Sequence, residues 1–502
     1  MLRFITSSTD LVASQTINAH IIVRDNQVVS GNIAFKDDLI EAEAQGQANF
    51  SLCLLYDAGK AGRLMLQTPM LPSRPDPYIL ALELARYRIK LFLDKSEEWS
   101  MFELSADHLA TQQWEKAREK FTTALVSPDL DEVIELARGA LKYAIDATER
   151  LALAHADLLL HRRYTTKCAS SSTLGVRINA ARFDKPLRDL IESNMDLVSI
   201  PIPWSEIEPE QGAFHWSATD RWVKWARDNG KNIIAGPLLD FSQDNAIPQW
   251  VRSWEHDFPE FRDRCYDHVE KVIRRYGGAI SFWNVTSGIN SNAFVRLSVP
   301  NMVDLIRTLA LVVRQARKDA RVMIELSEPF SEFVGRDPDA VSAEVFLSRL
   351  QSESIHLNAL GVQVLAGQAG GSATRDLMGY SALLDRFFLC EIPLVVTALG
   401  APSEIIDERG GWWKLPWTED SQEQWAGNMF AIALSKPYVE SVIWTELFDH
   451  KNPQLPTAAM VSSQGKPRQV LARLFGIRRK LRQPLGERIL PAKGNASSKS
   501  DV

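Results

Sequence analysis

Cysteine is scarce in this sequence, and the few that occur are not arranged for metal or disulfide chemistry. Four are spread over 502 residues, at Cys53, Cys168, Cys265 and Cys390. No two of them lie at the short CxxC spacing that zinc sites and redox motifs use. We therefore expect buried free thiols, no metal site and no cofactor.

The sequence also lacks an excess of basic charge and any long apolar run. Its 57 Lys and Arg residues are outnumbered by 63 Asp and Glu, which gives a formal net charge of −6 and a pI near 5.9. Such a chain has no broad positive field to attract nucleic acid. No run reaches the roughly 18 apolar residues of a membrane helix, and the N-terminal MLRFITSSTD lacks the apolar core of a signal peptide. We expect a cytoplasmic protein without nucleic-acid or membrane partners.

The length of the chain predicts more than one domain, since single cores stop growing at roughly 250 to 300 residues. Residues 1–67 alternate short apolar runs with turn residues, which is typical of strands and hairpins. Residues 78–93, 106–125 and 130–160 instead carry apolar residues three and four apart, which predicts helices. We predict an N-terminal domain of strands and helices at 1–165, of unknown function, a second domain at 172–482 and a disordered tail at 485–502.

Apolar strands recur at regular intervals in the second domain, with amphipathic helical stretches between them. Eight such strands alternating with helices over about 300 residues predict a (β/α)8 barrel. An open doubly wound sheet is the alternative, but no glycine-rich phosphate loop follows the first strand. In a barrel the chemistry lies where strands end and enter their helices. The eight predicted strands span residues 174–178, 197–204, 232–239, 280–285, 321–326, 359–365, 393–399 and 439–444.

Two long segments of this barrel resemble glycoside hydrolase family 10, the family of endo-β-1,4-xylanases. The first is WSEIEPEQGAFHWSATDRWVKWARDNG at residues 204–230, and the second is VIRRYGGAISFWNV at residues 272–285. The resemblance covers about residues 172–482 and leaves the N-terminal domain unexplained. It implies a (β/α)8 barrel and an activity on β-1,4-linked glycans.

The family cleaves with two carboxylic groups, one acting as nucleophile and the other as acid and then base. The acid/base ends the family motif WDVVNE, which aligns with WNVTSG at residues 283–288 and places Gly288 at the catalytic position. The nucleophile lies in the motif ITELD, which aligns with VTALG at residues 396–400 and places Ala398 there. The resemblance therefore implies a divergent member that lacks both catalytic glutamates.

Residues that support the carboxylates in the family are replaced as well. Ile200 and Pro203 stand where relatives carry an Asn and a Lys that hold sugar hydroxyls. The family stretch GHTLVWH is GPLLDFS at residues 236–242, and the His after the sixth-strand Gln363 is missing. Because changes fall at five strand ends, we expect hydrolysis at the family site to be impaired or lost.

Other acids at the strand ends are candidates for relocated catalytic roles. They are Asp240, Glu328, Glu404 and Glu446. The competing interpretation is that each is a solvated loop acid or favours a helix N-terminus.

Candidate substrate-binding residues are mainly tryptophans near the barrel mouth. Trp444 ends the eighth strand, where the family also has a tryptophan, and Gln363 and Asn290 follow other strands. The loop RGGWWKLPWTED carries Trp412, Trp413 and Trp417. Their indole faces either stack on sugar rings or form a lid packed on the barrel.

Three functions are compatible with this pattern. The first is a xylanase-like barrel that no longer hydrolyses at the family site and at most binds a β-linked glycan or oligosaccharide. The second is an active glycosidase with relocated carboxylates. The third is a non-catalytic structural or interaction protein, in which the N-terminal domain is the functional part.

Overall fold

The computed structural model describes residues 1–6, 18–36, 38–102, 104–166, 173–337, 339–369, 371, 373–451 and 453–482. Cys168 and the predicted tail at 485–502 lie outside the described residues. Cys53 and Cys265 are buried, Cys390 is half-buried, and all three are free thiols.

The chain begins with a β unit of two small sheets. The first sheet has the strand order β4-β5-β1-β9, and the second runs β18-β7-β6-β2-β3 with β8 paired to β6. Strand β18 (Trp412–Trp413) comes from far along the chain, so the barrel domain completes the second sheet. The strands of the unit are β1 (Leu2–Ile5), β2 (Ala19–Ile22), β3 (Val28–Val29), β4 (Asn32–Lys36), β5 (Leu39–Glu43), β6 (Asn49–Asp57), β7 (Gly62–Gln67), β8 (Leu71–Pro72) and β9 (Tyr78–Ile79).

Three helices follow, as the apolar spacing predicts. They are α1 (Leu80–Glu98), α2 (Leu109–Val126) and α3 (Leu130–Thr165). Helix α3 is 36 residues long and begins at Asp129, whose side chain accepts a hydrogen bond from the Asp131 amide and so satisfies a free donor of the first turn. Its small buried residues Ala137, Ala140 and Ala144 allow close packing on its neighbours.

The second domain is a closed barrel of eight parallel strands, which confirms the predicted fold. Strand β12 pairs with both β11 and β14, and this double pairing closes the sheet and excludes the open alternative. The barrel strands are β10 (Leu174–Arg177), β11 (Leu197–Ile200), β12 (Asn232–Ala235), β14 (Phe282–Ser287), β15 (Arg321–Leu326), β16 (Ala359–Leu365), β17 (Leu394–Gly400) and β19 (Val439–Trp444); the short β13 (Leu239–Asp240) and β18 (Trp412–Trp413) lie between them.

Helices surround this barrel, and several loops contain short 3-10 turns. The helices are α4 (Lys185–Asn194), α5 (Trp204–Ile207), α6 (Ser217–Asp228), α7 (Gln249–Arg252), α8 (Phe258–Tyr276), α9 (Val299–Ala316), α10 (Ala343–Ser352), α11 (Leu377–Phe388), α12 (Glu419–Ser435) and α13 (Gln469–Arg482). The 3-10 turns are Arg24–Asn26, Gly59–Ala61, Ile289–Ser291, Glu332–Gly335 and Glu408–Gly410. Within the described residues, no helix is both long and apolar enough to cross a membrane.

A ring of apolar side chains fills the barrel interior, one from each of seven strands. The remaining strand, β10, contributes Gly175, where a Cβ would lie 2.4 Å from Leu197 Cδ1, so the glycine makes room for its neighbours. The carboxyl ends of all eight strands open at the opposite end from the filled floor, and there the polar residues collect. The ring consists of Leu197, Ile234, Phe282, Met323, Ala359, Val395 and Ile443.

Candidate functional site

A cavity of about 450 Å³ lies at the carboxyl ends of strands β10, β11, β12 and β19. Loops after each of these strands form its wall, as expected for the functional end of a barrel. Polar and charged side chains line most of it. The lining residues are Arg177, Ile178, Asn179, Ala180, Pro201, Pro203, Ser205, Glu206, Pro237, Asp240, Gln243, Asp244, Asn245, Ala246, Glu446, His450 and Gln454.

A chain of hydrogen bonds crosses the barrel beneath this cavity. Glu325 Oε1 on β15 accepts from Ser287 Oγ at 2.7 Å and from Gln363 Nε2 at 2.7 Å. Gln363 Oε1 accepts from Gln454 Nε2 at 2.6 Å, and Gln454 Oε1 accepts from Arg177 Nη1 at 3.3 Å. Each side chain fixes the orientation of the next, so the two members that line the cavity, Arg177 and Gln454, are held in place by the buried ones.

Glu446 and His450 form a pair on the wall contributed by the loop after β19. His450 Nε2 lies 2.9 Å from Glu446 Oε2, and the other carboxylate oxygen accepts from the Gln454 amide at 3.3 Å. The hydrogen bond to Glu446 raises the pKa of His450, because the carboxylate favours the imidazolium form. Both carboxylate oxygens of Glu446 are therefore already hydrogen-bonded to residues of its own loop.

Asp240 is the second carboxylate on the cavity wall, and it has no cationic partner in contact. It is 9% exposed, and its Oδ1 accepts from the amide and the hydroxyl of Ser242 at 2.8 and 2.6 Å. Burial raises the pKa of Asp240, and the two Ser242 hydrogen bonds oppose that shift.

Among the described residues, no three His, Cys, Asp or Glu side chains are grouped to hold a metal ion.

The position predicted for the acid/base is closed by neighbouring side chains. Gly288 follows β14 with φ +63°, and its amide donates to the Glu325 carbonyl at 3.0 Å. A Cβ at this position would lie 2.6 Å from Ser327 Oγ and 2.7 Å from Ser242 Cβ. A glutamate side chain would find no free path there without displacing both serines.

The position predicted for the nucleophile is covered by apolar side chains. Ala398 is fully buried in β17 and packs with Leu365, Leu455 and Ala458. Leu455 and Ala458 belong to the long segment after β19, which folds over the end of β17. Assigning Gly288 and Ala398 to the family's carboxylates remains a prediction from the resemblance.

Two of the four proposed substitute acids lie at the cavity, and two do not. Asp240 and Glu446 line the same cavity. Glu328 is held 3.2 Å from Arg336 Nη2 outside the cavity lining, and burial raises its pKa to about 7. Glu404 is exposed and lies outside the lining. The structure therefore brings together only the pair Asp240 and Glu446.

Three candidate binding residues have structural partners instead of an open surface. Gln363 is buried in the hydrogen-bond chain beneath the cavity. Asn290 Nδ2 donates to the Val341 carbonyl at 3.0 Å and so fixes a loop. We correct the expectation that Trp444 lines the pocket, because it is fully buried and its Nε1 donates to the Ala458 carbonyl at 2.9 Å.

The three tryptophans of the loop after β17 are corrected as well. Trp412 and Trp413 form strand β18, which pairs antiparallel with β7 of the N-terminal unit. The Arg63 guanidinium lies 4.1 Å from the ring centre of Trp412, and Trp417 Nε1 donates to the Gly411 carbonyl at 2.9 Å. All three indoles are at least nine-tenths buried. Trp412 and Trp413 join the two domains and Trp417 packs within the barrel domain, which favours the packing alternative over a glycan groove.

Sequence reasoning missed several residues that line the cavity. Arg177 is the last residue of the first barrel strand, and its position at a strand end is the signal that could have identified it. His450 lies four residues after Glu446, but that spacing occurs in a loop, where no periodicity predicts contact. Gln454 reaches the cavity only because its segment folds back across the mouth.

Comparison with known proteins gives matches to one family. Residues 166–305 match the family described as Glycosyl hydrolase family 10. Endo-1,4-beta-xylanase 3 of Hypocrea jecorina is 25% identical over 250 residues, which cover 48% of this chain and 68% of that protein. Endo-1,4-beta-xylanase B of Humicola insolens is 28% identical over 96 residues, covering 19% and 26%. A solved glycoside hydrolase family 10 endoxylanase from a sugarcane soil metagenome is 17% identical with a TM-score of 0.49, covering 62% and 98%. The predicted family resemblance is confirmed.

Proposed function

Starting from a xylanase-like barrel of the glycoside hydrolase family 10 type, we propose that this protein binds a short β-linked glycan at the mouth cavity without cleaving it by the family mechanism. The observation that carries the proposal is that neighbouring side chains fill the space at the two predicted catalytic positions. The serines around Gly288 and the apolar residues over Ala398 occupy the space that two carboxylates would need. The mouth nevertheless keeps an open polar cavity.

The cavity suits a small polyhydroxylated ligand. Its volume of about 450 Å³ lies in the range of roughly 300 to 1,000 Å³ that small-ligand sites occupy. Asn179, Gln243 and Asn245 offer amides that can both donate and accept, and Arg177 adds donors beside the Asp240 acceptor. Sugar hydroxyls need this mixture of donors and acceptors. The described lining contains no phenylalanine, tyrosine or tryptophan, so recognition would rest mainly on hydrogen bonds and not on stacking.

Without a carboxylate at either catalytic position, the chain lacks the groups that the family uses for retaining hydrolysis. Retaining hydrolysis needs a nucleophile to form the glycosyl intermediate and a second group about 5 to 5.5 Å away to protonate the leaving oxygen. Neither Gly288 nor Ala398 can attack carbon or transfer a proton. Removal of such groups costs several orders of magnitude in rate.

Calorimetric titration of the purified protein with xylo-oligosaccharides, with product release followed in the same samples, tests this proposal. We expect binding without product. Arg177→Ala should weaken binding about tenfold, equivalent to about 1.4 kcal/mol, because it removes a donor from the cavity wall. Arg227→Ala, at an exposed site on α6, is the matched control and should bind normally. Absence of binding would contradict the proposal and favour a scaffold role.

The relocated-carboxylate alternative has one observation in its favour, since Asp240 and Glu446 line the same cavity. A separation of about 5 to 5.5 Å between the two carboxyl groups would suit retaining hydrolysis, and about 6.5 to 9.5 Å would suit inverting hydrolysis. In the titration above, product release by the wild type that is lost in both Asp240→Asn and Glu446→Gln would replace the first proposal with this one.

A further inference from the structure

The mouth cavity contains more negative than positive charge. Four carboxylates line it, at Glu206, Asp240, Asp244 and Glu446, whereas Arg177 is the one arginine or lysine among the described lining residues. Two of these carboxylates are already compensated. Asp244 lies 2.9 Å from Arg252 Nη1, and Glu446 is bonded to His450. Glu206 is exposed at the rim, which leaves Asp240 as the uncompensated acid inside the cavity.

Asp240 is built to present one free oxygen to a ligand. Its Oδ1 is held by two hydrogen bonds from Ser242, which fix the carboxyl group. Its Oδ2 makes no hydrogen bond or ion pair with the described residues, and it is not fully buried, so this oxygen is open to the cavity although the residue as a whole is only 9% exposed. A largely buried carboxylate with no cation in contact is poorly stabilised, so the site gains most from a ligand that brings a positive donor.

Resting on the proposed glycan binding at this cavity, we propose that the mouth selects its ligand by charge. It takes a β-linked sugar that carries an amino group, with the ammonium bound to Asp240 Oδ2, and rejects sugar acids. An ammonium group offers three donors and a full positive charge, and charge-assisted hydrogen bonds are about twice as strong as neutral ones. A sugar hydroxyl can occupy the same place but leaves the charge of Asp240 uncompensated.

Arg177 is the group that could hold a sugar acid instead. Its Nη1 already donates to Gln454, and its charge acts on both Asp240 and His450. A ligand carboxylate in this small cavity would therefore meet Asp240 and Glu446 at close range together with Arg177. Placing like charges side by side in a binding site is unfavourable, so we expect exclusion of uronic acids.

Calorimetric titration at neutral pH with β-1,4-linked dimers of glucosamine and of glucose, and with glucuronate, tests this inference. The glucosamine dimer should bind about tenfold more tightly than the glucose dimer, and glucuronate should give no measurable binding. Asp240→Asn should abolish the preference for the amine, because the amide keeps the shape and the Ser242 contacts but loses the charge. Glu404→Gln, at an exposed carboxylate outside the cavity lining, is the matched control and should keep the preference.

A measurement on the wild type covers the case in which Asp240→Asn does not fold. Raising the salt from about 50 mM to about 500 mM should reduce the preference for the amine, because an electrostatic contact at a cavity open to solvent is screened. Equal binding of the two dimers, or tighter binding of glucuronate that Arg177→Ala abolishes, would overturn the charge selection while leaving glycan binding intact. Failure of every sugar, including xylo-oligosaccharides, would overturn both proposals.

Discussion

The glycine that ends β14 is held in a conformation that other residues rarely adopt. Gly288 has φ +63°, and a Cβ would come within 2.7 Å of both Ser327 Oγ and Ser242 Cβ. We expect Gly288→Ala to lower the free energy of unfolding by about 3 kcal/mol, because backbone strain adds to steric overlap. Urea denaturation measures the loss. Gly230→Ala, at φ +60° with nothing within 4 Å of its Cβ, should lose only about 1 kcal/mol. Equal losses would show that the serines move aside freely.

The sequence alone predicts what Gly288 and Ala398 lack, but not what surrounds them. Ser242 reaches Gly288 from the loop after β13, and Leu455 reaches Ala398 from the segment after β19. Those contacts depend on loop paths, which follow no periodic pattern. For the same reason, four strand-end acids could not be ranked from the sequence, and the structure alone separates Asp240 from Glu328.

The buried side chain of Glu149, on helix α3, contacts the barrel domain. Glu149 Oε1 accepts from Trp413 Nε1 at 2.5 Å and from the Leu377 amide at 3.1 Å. Burial, with a further contribution from the nearby Asp376, raises the pKa of Glu149 from 4.5 to about 7. The folded protein therefore retains a proton that the unfolded chain releases between these two pH values, so stability present below about pH 4.5 is lost as the pH rises to about 7.

We expect Glu149→Gln to remove this pH dependence. The amide oxygen still accepts both hydrogen bonds but cannot ionise, so the variant should gain stability relative to the wild type as the pH rises, by about 3 kcal/mol between pH 4.5 and 7. Urea denaturation at several pH values measures the difference. Glu135→Gln, at an exposed position of the same helix, should follow the wild type. A constant difference between Glu149→Gln and wild type would contradict the shifted pKa.

The long helix α3 and the barrel strands could be predicted from the sequence, but the two-residue strand β18 could not. Helix α3 and the eight barrel strands carry periodic apolar patterns over enough residues to be recognised. Strand β18 contains only Trp412 and Trp413, and its partner β7 lies about 350 residues earlier in the chain. A two-residue strand shows no period, so the sequence suggested stacking on sugar rings or a lid packed on the barrel, but not a contact with the N-terminal unit.

The N-terminal unit and the barrel share apolar and ionic contacts. Phe92 of α1 and Leu151 of α3 belong to the same buried apolar cluster as the barrel strands. Between the domains, Arg88 of α1 forms a bidentate ion pair with Asp376 at 2.8 and 2.6 Å, and both side chains are buried. The N-terminal unit also buries an apolar cluster of its own, which includes Phe4 and Leu54. Because α1 and α3 extend from that cluster into the cluster of the barrel, we expect the two units to unfold together.

Disruption of this ion pair should therefore destabilise the whole molecule in one step. We expect Arg88→Ala and Asp376→Ala each to cost about 3 to 5 kcal/mol, because each leaves an unpaired buried charge, and the double variant to cost less than their sum. Arg118→Ala, at an exposed pair with Glu115, should cost under about 1 kcal/mol. Urea unfolding followed by circular dichroism and by tryptophan fluorescence should give coincident transitions in every variant. Separate transitions in Arg88→Ala would mean that the N-terminal unit detaches while the barrel stays folded, which would contradict a shared core.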